Sequence, residues 1–128
     1  MIENEDGEIF GCYINSIIDK VNEFIVDQHA FVFNLESNGR HEGPMKFNIK
    51  KEECDGALYL YPDDDYWLFA CGNLDIVIWK EYMKSESHCY QNKDSYFDYE
   101  DVENALVVNP QGYSKCFTPK QFIVIQMM

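Results

Sequence analysis

The sequence predicts one predominantly β domain, built as a sandwich or a barrel. Six or seven short apolar runs are separated by turn signals about every ten residues, which is typical of such folds. The length of 128 residues suits one domain. With 46% hydrophobic and 16% aromatic residues, the chain can build a core without a metal or a disulfide framework.

Alternating apolar and polar residues predict the strands. A first short strand is expected at residues 8–13. The strand at 31–35 places Phe31, Phe33 and Leu35 on one face, which we expect to pack on the core. Further strands are expected at residues 46–50, 57–61, 66–70, 75–79 and 121–126. The last of these is apolar on both faces, which predicts an interior strand of a sheet covered on both sides.

Turns and helical signals fill the intervals between these strands. Turns are expected at residues 37–39, where Asn-Gly favours a tight turn, and at 72–73. Apolar residues at helical spacing, with Ser16 as N-cap, predict an amphipathic helix at 16–25 when that segment is read alone. A helical turn is expected at 101–106. The acidic stretch 94–103 is expected at the surface, held by its aromatic residues Tyr96, Phe97 and Tyr99.

The charge balance excludes some classes of partner. The chain has 23 acidic and 10 basic side chains, a formal charge of −13, and a pI near 4.4. Nucleic-acid binding draws most of its affinity from basic side chains on phosphates, so a nucleic-acid partner is not expected. Anionic membranes are excluded by the same repulsion, and no membrane insertion is expected. A basic protein face or a cation remains possible.

The cysteines and the chain start indicate a cytoplasmic protein. The first residues are acidic, whereas a secretory signal needs a basic and then an apolar region. No apolar run approaches the roughly 20 residues that a membrane helix requires. Five cysteines are scattered without a C-x-x-C pattern, which predicts reduced thiols rather than a disulfide framework.

Several residue groups could carry chemistry, and none forms a recognised motif. Consecutive aspartates at 63–65 lack the alternating spacing of a calcium loop and are expected to form a turn. The neighbours His88 and Cys89 would face opposite ways on an extended chain, and the thiols lack zinc-site spacing. We expect Cys71 and Cys116 in the core and His88 at the surface. The sequence therefore assigns no catalytic, cofactor-binding or metal-binding residue, and no cofactor.

Four motifs, in this order, resemble those of the TLDc domain family. Residues 7–13, GEIFGCY, resemble its opening G-x-I/V-F-G-G-Y/F, and residues 27–35, DQHAFVFNL, resemble D-x-x-A-F-L-F-S-L. Residues 69–76, FACGNLDI, resemble F-x-x-G-x-x-D-I/L. The closing N-x-L … F … I/V-E-V pattern is matched by residues 104–106, Phe117 and residues 122–125.

The resemblance implies an α+β, predominantly β fold: two antiparallel sheets packed as a sandwich with short peripheral helices. It also implies an irregular loop around residues 16–28, with at most one helical turn, in place of the helix that periodicity predicts there. It implies no catalytic residues, because the family has no agreed set. The matching positions are interpreted as apolar core and turn residues; they are Phe10, Gly11, Phe31, Phe33, Gly72 and Asp75.

The chain departs from the family pattern in three places and at its start. Cys12 replaces a glycine, Asn34 replaces a serine, and residues 107–114 form an unusual loop. Family domains begin some tens of residues earlier. Residues 1–128 are therefore expected to form a single TLDc-like domain that lacks the usual N-terminal helices and first strand. An edge or apolar face left open in this way would invite dimerisation.

Three functions follow as hypotheses. The first is a non-catalytic interaction domain that docks its acidic surface on a basic partner; family members are linked to oxidative-stress resistance and to binding and regulating the vacuolar proton-pumping ATPase. The second is a thiol-based redox sensor or antioxidant protein that uses Cys89 or another exposed cysteine. The third is a hydrolase or a small-ligand binder built on buried carboxylates, which would require a convergent acidic pocket.

Overall fold

A computed structural model of the chain describes residues 1–107 and 115–125. Two antiparallel sheets pack against each other, and two short 3-10 helices, Lys51–Gly56 and Glu81–Glu86, lie outside them. The predicted class is confirmed: an α+β, predominantly β sandwich with short peripheral helices. The strands are β1 (Ile2–Asn4), β2 (Ile9–Tyr13), β3 (Phe24–Ile25), β4 (Phe31–Glu36), β5 (Met45–Asn48), β6 (Leu58–Leu60), β7 (Trp67–Cys71), β8 (Ile76–Trp79), β9 (His88–Cys89), β10 (Lys115–Cys116) and β11 (Pro119–Phe122).

The strand order places β1, near residue 1, beside β11, the last strand of the described residues. The five-stranded sheet has the order β11-β1-β2-β4-β5, and the six-stranded sheet has the order β10-β9-β8-β7-β6-β3. Ile2 pairs with Phe10 on one side and with Phe122 on the other, so β1 lies between the second strand and the last one. Hairpins account for the β4–β5, β6–β7 and β7–β8 pairs.

The core lies between the sheets and is built from residues that alternate along the strands. Phe10 packs edge-to-face on Phe117 with ring centroids 5.2 Å apart, and Phe47 packs on Tyr99 at the same separation. Phe97 and Tyr99 are buried among acidic residues that stay exposed, so the acidic stretch is a surface segment anchored by aromatics, as predicted. The turn at Asn38 and Gly39 is also confirmed, because both residues have positive φ.

The prediction for the inner face of β4 is wrong. Val32 and Asn34 are fully buried, whereas Phe31 and Phe33 are partly exposed and Leu35 is 45% exposed on the outer face. Alternation identifies which residues share a face, but not which face is inside. Phe33 lies over Gly11, where a side chain would come within 2.9 Å of its ring, and Lys46 lies 4.3 Å from the centre of the Phe31 ring.

The prediction of an interior final strand is also wrong. β11 ends at Phe122 and lies at the edge of the five-stranded sheet. Val124 and Ile125, which follow it, are 77% and 64% exposed. The apolar residues of the predicted final strand therefore lie at the exposed edge of the sandwich and not in its interior. Gln126, the last residue of the predicted strand, and most of the unusual loop, residues 108–114, lie outside the described residues.

The expected loop at residues 16–28 is confirmed in place of a helix. Residues 14–23 contain neither helix nor strand, Asn22 has positive φ, and β3 follows. Ile17 and Val21 are exposed, so the apolar residues at helical spacing do not form the buried face of a helix. The helical turn predicted at 101–106 is wrong, because Asp101 and Asn104 have positive φ, which a right-handed helix cannot accommodate.

The expectation that all five thiols are reduced is wrong for two of them. Cys12 on β2 and Cys71 on β7 form a disulfide across the two sheets. Their Cα atoms are 7.0 Å apart and their sequence separation is 59. The other thiols, Cys54, Cys89 and Cys116, are free. The two strands that carry the bonded cysteines are thereby joined covalently through the core.

Breaking this disulfide is expected to lower the free energy of unfolding by roughly 2–4 kcal/mol, because it releases a long loop in the unfolded chain. Cys12→Ala is the suitable variant, since Cys12 is only half-buried and its removal opens little cavity. Urea unfolding with and without a reductant measures the loss. The exposed Cys116→Ala is the control and should change nothing. An unchanged unfolding midpoint in reductant would contradict the prediction.

Candidate functional site

The predicted turn at residues 63–65 is present, and a lysine of the chain lies in it. Lys80 Nζ donates hydrogen bonds to the carbonyl oxygens of Pro62 at 2.8 Å and Asp63 at 2.9 Å, and also contacts that of Asp65. Asp65 accepts the Trp67 N–H at 3.0 Å. The lysine ammonium thus lies among carbonyl oxygens of the kind that a cation would bind. Within residues 1–107 and 115–125, no group of three or more His, Cys, Asp and Glu side chains could hold a metal ion.

His88 and Cys89 do not form a catalytic pair. They are the two residues of β9; Cys89 is buried in the core, whereas His88 is half-buried and packs edge-on against Trp67. Burial, with the nearby carboxylates of Asp75 and Glu8, raises the pKa of the Cys89 thiol well above its ordinary value. A thiol in this state is a poor nucleophile. Cys71 is in the core as expected, but Cys116 is exposed, so its predicted burial is wrong.

The most enclosed carboxylate belongs to Asp75, in the turn between β7 and β8. Its Oδ1 accepts the backbone N–H of Asn73 at 3.0 Å and of Tyr96 at 3.2 Å. Its Oδ2 accepts the Tyr99 hydroxyl at 2.8 Å. Burial raises the pKa of the Asp75 carboxyl, and these hydrogen bonds act in the opposite direction. The carboxylate therefore connects the β7–β8 turn to the segment 96–99.

Gly72 leaves the space that the Asp75 carboxylate occupies. A Cβ at Gly72 would overlap Asp75 Oδ1 and come within 2.9 Å of the Phe97 ring. Gly72 also has φ +63°, a conformation that side chains other than glycine adopt at a cost. The interpretation of Gly72 and Asp75 as structural positions fits this geometry.

A second buried polar cluster joins Glu8 to Arg40. Glu8 forms an ion pair with Arg40 and accepts a hydrogen bond from Asn4 Nδ2 at 2.8 Å. Arg40 also donates to the carbonyl oxygens of Asn104 and Leu106, each at 3.2 Å. A cavity of about 10 Å³ beside this cluster has room for one water molecule at most. No sequence motif indicated this cluster, because its members are far apart in the chain.

The third buried carboxylate, Asp27, holds the start of the loop 14–23. Its oxygens accept the backbone N–H groups of Asn15 at 2.5 Å, Ser16 at 3.1 Å and His29 at 2.8 Å. The buried acids in the described part of the chain are thus Glu8, Asp27 and Asp75. Each is hydrogen-bonded to its own surroundings, and the cavity beside Glu8 is too small for a substrate.

The larger opening lies on the surface and is mainly apolar. A groove of about 310 Å³ runs between β11 and the segment formed by β7, β8 and the second 3-10 helix. Leu68, Ile78 and Phe122 form its apolar wall. Lys80, Lys84 and Lys120 also line it, with Glu81 as the acidic residue among them. This arrangement suits binding more than catalysis, because it contains no nucleophile with an adjacent base.

Comparison with known proteins identifies no family for the chain. No protein-family model matches it, and no curated protein or solved structure shows a significant match. The TLDc resemblance therefore rests on the four motifs. Among the described residues, no helix is long and apolar enough to cross a membrane.

Gly72→Ala is expected to lower the free energy of unfolding by roughly 2–4 kcal/mol, through backbone strain plus overlap with Asp75 and Phe97. The matched control is Gly39→Ala. Gly39 has φ +82°, and an alanine Cβ placed there would have no atom within 4 Å, so that variant carries the backbone strain alone, about 1 kcal/mol. Urea unfolding measures both. Equal losses in the two variants would show that the Asp75 carboxylate does not occupy this space.

Asp75→Asn is expected to remove a pH dependence of stability. A carboxyl whose pKa is raised by folding holds its proton more tightly when folded, so its ionisation costs stability as pH rises above the unfolded value of 3.8. The wild-type chain should therefore lose stability relative to Asp75→Asn as pH rises from about 4 towards 7. An asparagine retains the Oδ1 acceptor and can donate to the Tyr99 hydroxyl.

Urea unfolding at a series of pH values measures this difference. The exposed Asp98→Asn serves as control for the loss of one negative charge. A stability difference between wild type and Asp75→Asn that stays constant with pH, or that grows in favour of the wild type, would contradict the prediction.

Proposed function

We propose that the chain is a non-catalytic, TLDc-type interaction domain that docks its acidic surface on a basic face of a protein partner. The observation that carries the proposal is the uncompensated charge of that surface. Among the described residues, ion pairs engage only three acids, Glu3, Glu8 and Glu81, of the 23 in the chain. Most of the others are exposed.

The acidic segment 98–103 is the most concentrated part of this surface. Asp98, Glu100, Asp101 and Glu103 are exposed, while Phe97 and Tyr99 beside them are buried. The aromatic anchors fix the backbone of the segment, so its carboxylates lose little further freedom when a partner binds. Charges held in this way steer a basic partner and set its orientation.

The resemblance supplies the candidate partner and context. TLDc proteins are linked to oxidative-stress resistance and to regulating the vacuolar proton-pumping ATPase, and we extend both links, with a cytoplasmic location, to this chain as part of the proposal. Three of the residues that match the family motifs support this proposal by where they lie. Phe10 is in the core, and Gly72 and Asp75 lie together in one tight turn, as expected of core and turn positions. Phe31 and Phe33 differ, because they face outwards.

The redox hypothesis now concerns Cys12 and Cys71 rather than Cys89. Cys89 is buried and its pKa is raised, which argues against a sensor thiol at that position. The Cys12–Cys71 disulfide favours a second candidate function, in which a cellular dithiol opens this bond by thiol–disulfide exchange. Both cysteines become thiols, the dithiol becomes its own disulfide, and the junction between the sheets loses its covalent link. The hydrolase hypothesis lacks support in the described part of the chain, because all three buried carboxylates are taken up by hydrogen bonds within the fold.

Immobilised domain, incubated with cell extract, is expected to retain subunits of the vacuolar proton-pumping ATPase at low salt and to release them as salt screens the contact. A variant that neutralises the segment, Asp98→Asn with Glu100→Gln, Asp101→Asn and Glu103→Gln, should retain about tenfold less. Immunodetection of the subunits gives the measurement.

The matched control neutralises four exposed acids elsewhere in the chain, Asp19→Asn with Glu23→Gln, Glu42→Gln and Asp64→Asn. Absence of pump subunits at low and moderate salt would remove the ATPase link. Retention that is equal for the wild type and the neutralised variant would overturn docking through the acidic segment.

A further inference from the structure

One face of the six-stranded sheet carries a continuous row of aromatic side chains. Contacts between neighbouring rings connect β3, β6, β7, β8 and β9, with ring centroids 4.7 to 6.3 Å apart. Two further tyrosines extend the row beyond β8, each at a centroid separation of 6.5 Å from the ring before it. We call this set the aromatic row; its members are Phe24, Tyr59, Tyr61, Trp67, Trp79, His88, Tyr66 and Tyr82.

The strand register places the aromatic row on the outer face of this sheet. Tyr59, Ala70, Val77 and His88 are direct neighbours across β6 to β9. The residues before and after Ala70 belong to the core, so Ala70 and its neighbours in the register face outwards. A register shift just after Trp67 brings that side chain to the same face, where it contacts the His88 ring. Ala70 and Val77 are themselves buried, so larger neighbouring side chains form the surface here.

Several rings of the aromatic row are open to solvent. Tyr82, Tyr66 and Phe24 are 69%, 60% and 49% exposed. The face of an aromatic ring carries a partial negative charge and attracts cations, arginine more often than lysine. Within residues 1–107 and 115–125, the one cation over a ring is Lys46 over Phe31, and both belong to the other sheet. The aromatic row is therefore a set of rings that no cation of the described chain covers.

Carboxylates border the row on its β7 to β9 side. Asp63 lies in the turn that precedes Tyr66, and Glu86 lies two residues before His88. Both acids are exposed, and no ion pair among the described residues engages either of them. They are therefore available to a ligand that lies on the rings.

The two lysines between these acids have other partners. Lys80 Nζ donates to carbonyl oxygens of the 62–65 turn, and Lys84 pairs with Glu81 at 3.1 Å. Residues 62–66 and 80–86 together contain five acids and two lysines, so a surplus of negative charge remains at this end of the row. The whole chain has a charge of −13, and the field around the row therefore favours a cationic ligand.

We propose that the aromatic row binds an extended, arginine-rich segment of a partner protein. Guanidinium groups stack on the exposed rings, and the carboxylates of Asp63 and Glu86 form charge-assisted hydrogen bonds with the arginines beside them. At ordinary strand spacing, five neighbouring strands span roughly 19 Å, which is about the length of six extended residues. Alternate arginines of such a segment lie on one side, about 7 Å apart, and so face rings along the whole row.

Arginine fits this surface better than lysine, a neutral sugar or a second copy of the chain. A guanidinium group is planar and weakly hydrated, so it stacks on aromatic rings, whereas an ammonium group is strongly hydrated. A neutral oligosaccharide gains nothing from the surrounding charge, and its hydroxyl groups need hydrogen-bonding side chains between the rings. The register places Ala70 and Val77 there instead. A second copy carries the same charge of −13, which opposes association.

The probe is a fluorescein-labelled peptide of four Arg-Ser repeats, titrated with the full chain and followed by fluorescence anisotropy at physiological ionic strength. A Lys-Ser peptide of the same length and charge separates stacking from simple attraction, and it should bind at least about fivefold more weakly. Both tryptophans of the chain belong to the aromatic row, so unlabelled Arg-Ser peptide should change the intrinsic fluorescence saturably. Cellohexaose, a neutral oligosaccharide, should leave that fluorescence unchanged.

The variant Tyr66→Ser with Tyr82→Ser should weaken Arg-Ser binding by at least about fivefold, because it removes two exposed rings of the row. Its matched control is Leu35→Ser with Val124→Ser, which removes two exposed apolar side chains outside the row. The control should change Arg-Ser binding less than about twofold. Thermal unfolding confirms that each variant is folded.

The variant Asp63→Asn with Glu86→Gln tests the bordering carboxylates. It should weaken binding of the Arg-Ser peptide by about threefold or more, because the arginines lose their charge-assisted hydrogen bonds. The control for the loss of two charges is Asp6→Asn with Glu42→Gln, which removes exposed acids elsewhere in the chain. A smaller loss is expected from this control.

Undetectable binding of the Arg-Ser peptide, equal binding of the Lys-Ser peptide or unchanged tryptophan fluorescence would each overturn the proposal. So would binding of cellohexaose, or equal losses in the row variants and their controls. None of these measurements involves the segment 98–103 or the proton pump. Failure of this proposal and failure of the proposed function are therefore distinguishable.

Discussion

The Asp75 carboxylate holds together parts of the structure that no strand pairing joins. It lies in the β7–β8 turn, yet its hydrogen-bond donors come from Asn73, Tyr96 and Tyr99, and the last two belong to the acidic stretch 94–103. Burial of a carboxylate is costly unless its oxygens are hydrogen-bonded, so the turn and the segment must take up their positions together. The location of the exposed acids 98–103 thus depends on a buried acid.

The need to hydrogen-bond a buried carboxylate also distinguishes the acids of the interior from the charged groups at the surface. Asp75, Glu8 and Asp27 are buried and engaged by backbone or side-chain donors, which leaves them no role as acid or base towards a substrate. Burial, together with the nearby Asp75 carboxylate, raises the pKa of the Cys89 thiol well above its ordinary value. The exposed features of the described residues include an acidic segment on one part of the surface and a lysine-lined apolar groove on another.

Much of the sandwich could be predicted from alternation, because period-2 patterns report which residues share a face. Phe47 and Ile49 are buried as expected, and the β7–β8 hairpin turns at Gly72. The pattern did not reveal which face of β4 is inside, since that depends on the contact of Phe33 with Gly11 in the neighbouring strand.

β1 was missed because three residues, one of them a buried asparagine, carry no periodic signal. The Glu8–Arg40 cluster and the Cys12–Cys71 bond depend on contacts between residues distant in the chain, which single-sequence patterns do not encode.

The position of β1 has a consequence for how the chain folds. β1 has two partner strands, and one of them, β11, begins at Pro119, more than 100 residues later in the sequence. During synthesis, one side of β1 stays unpaired until residues 119–122 have been made. Pairings between such distant residues form slowly, because most of the chain must be ordered first. The pairing of β1 with β11 is therefore expected to complete the five-stranded sheet late in folding.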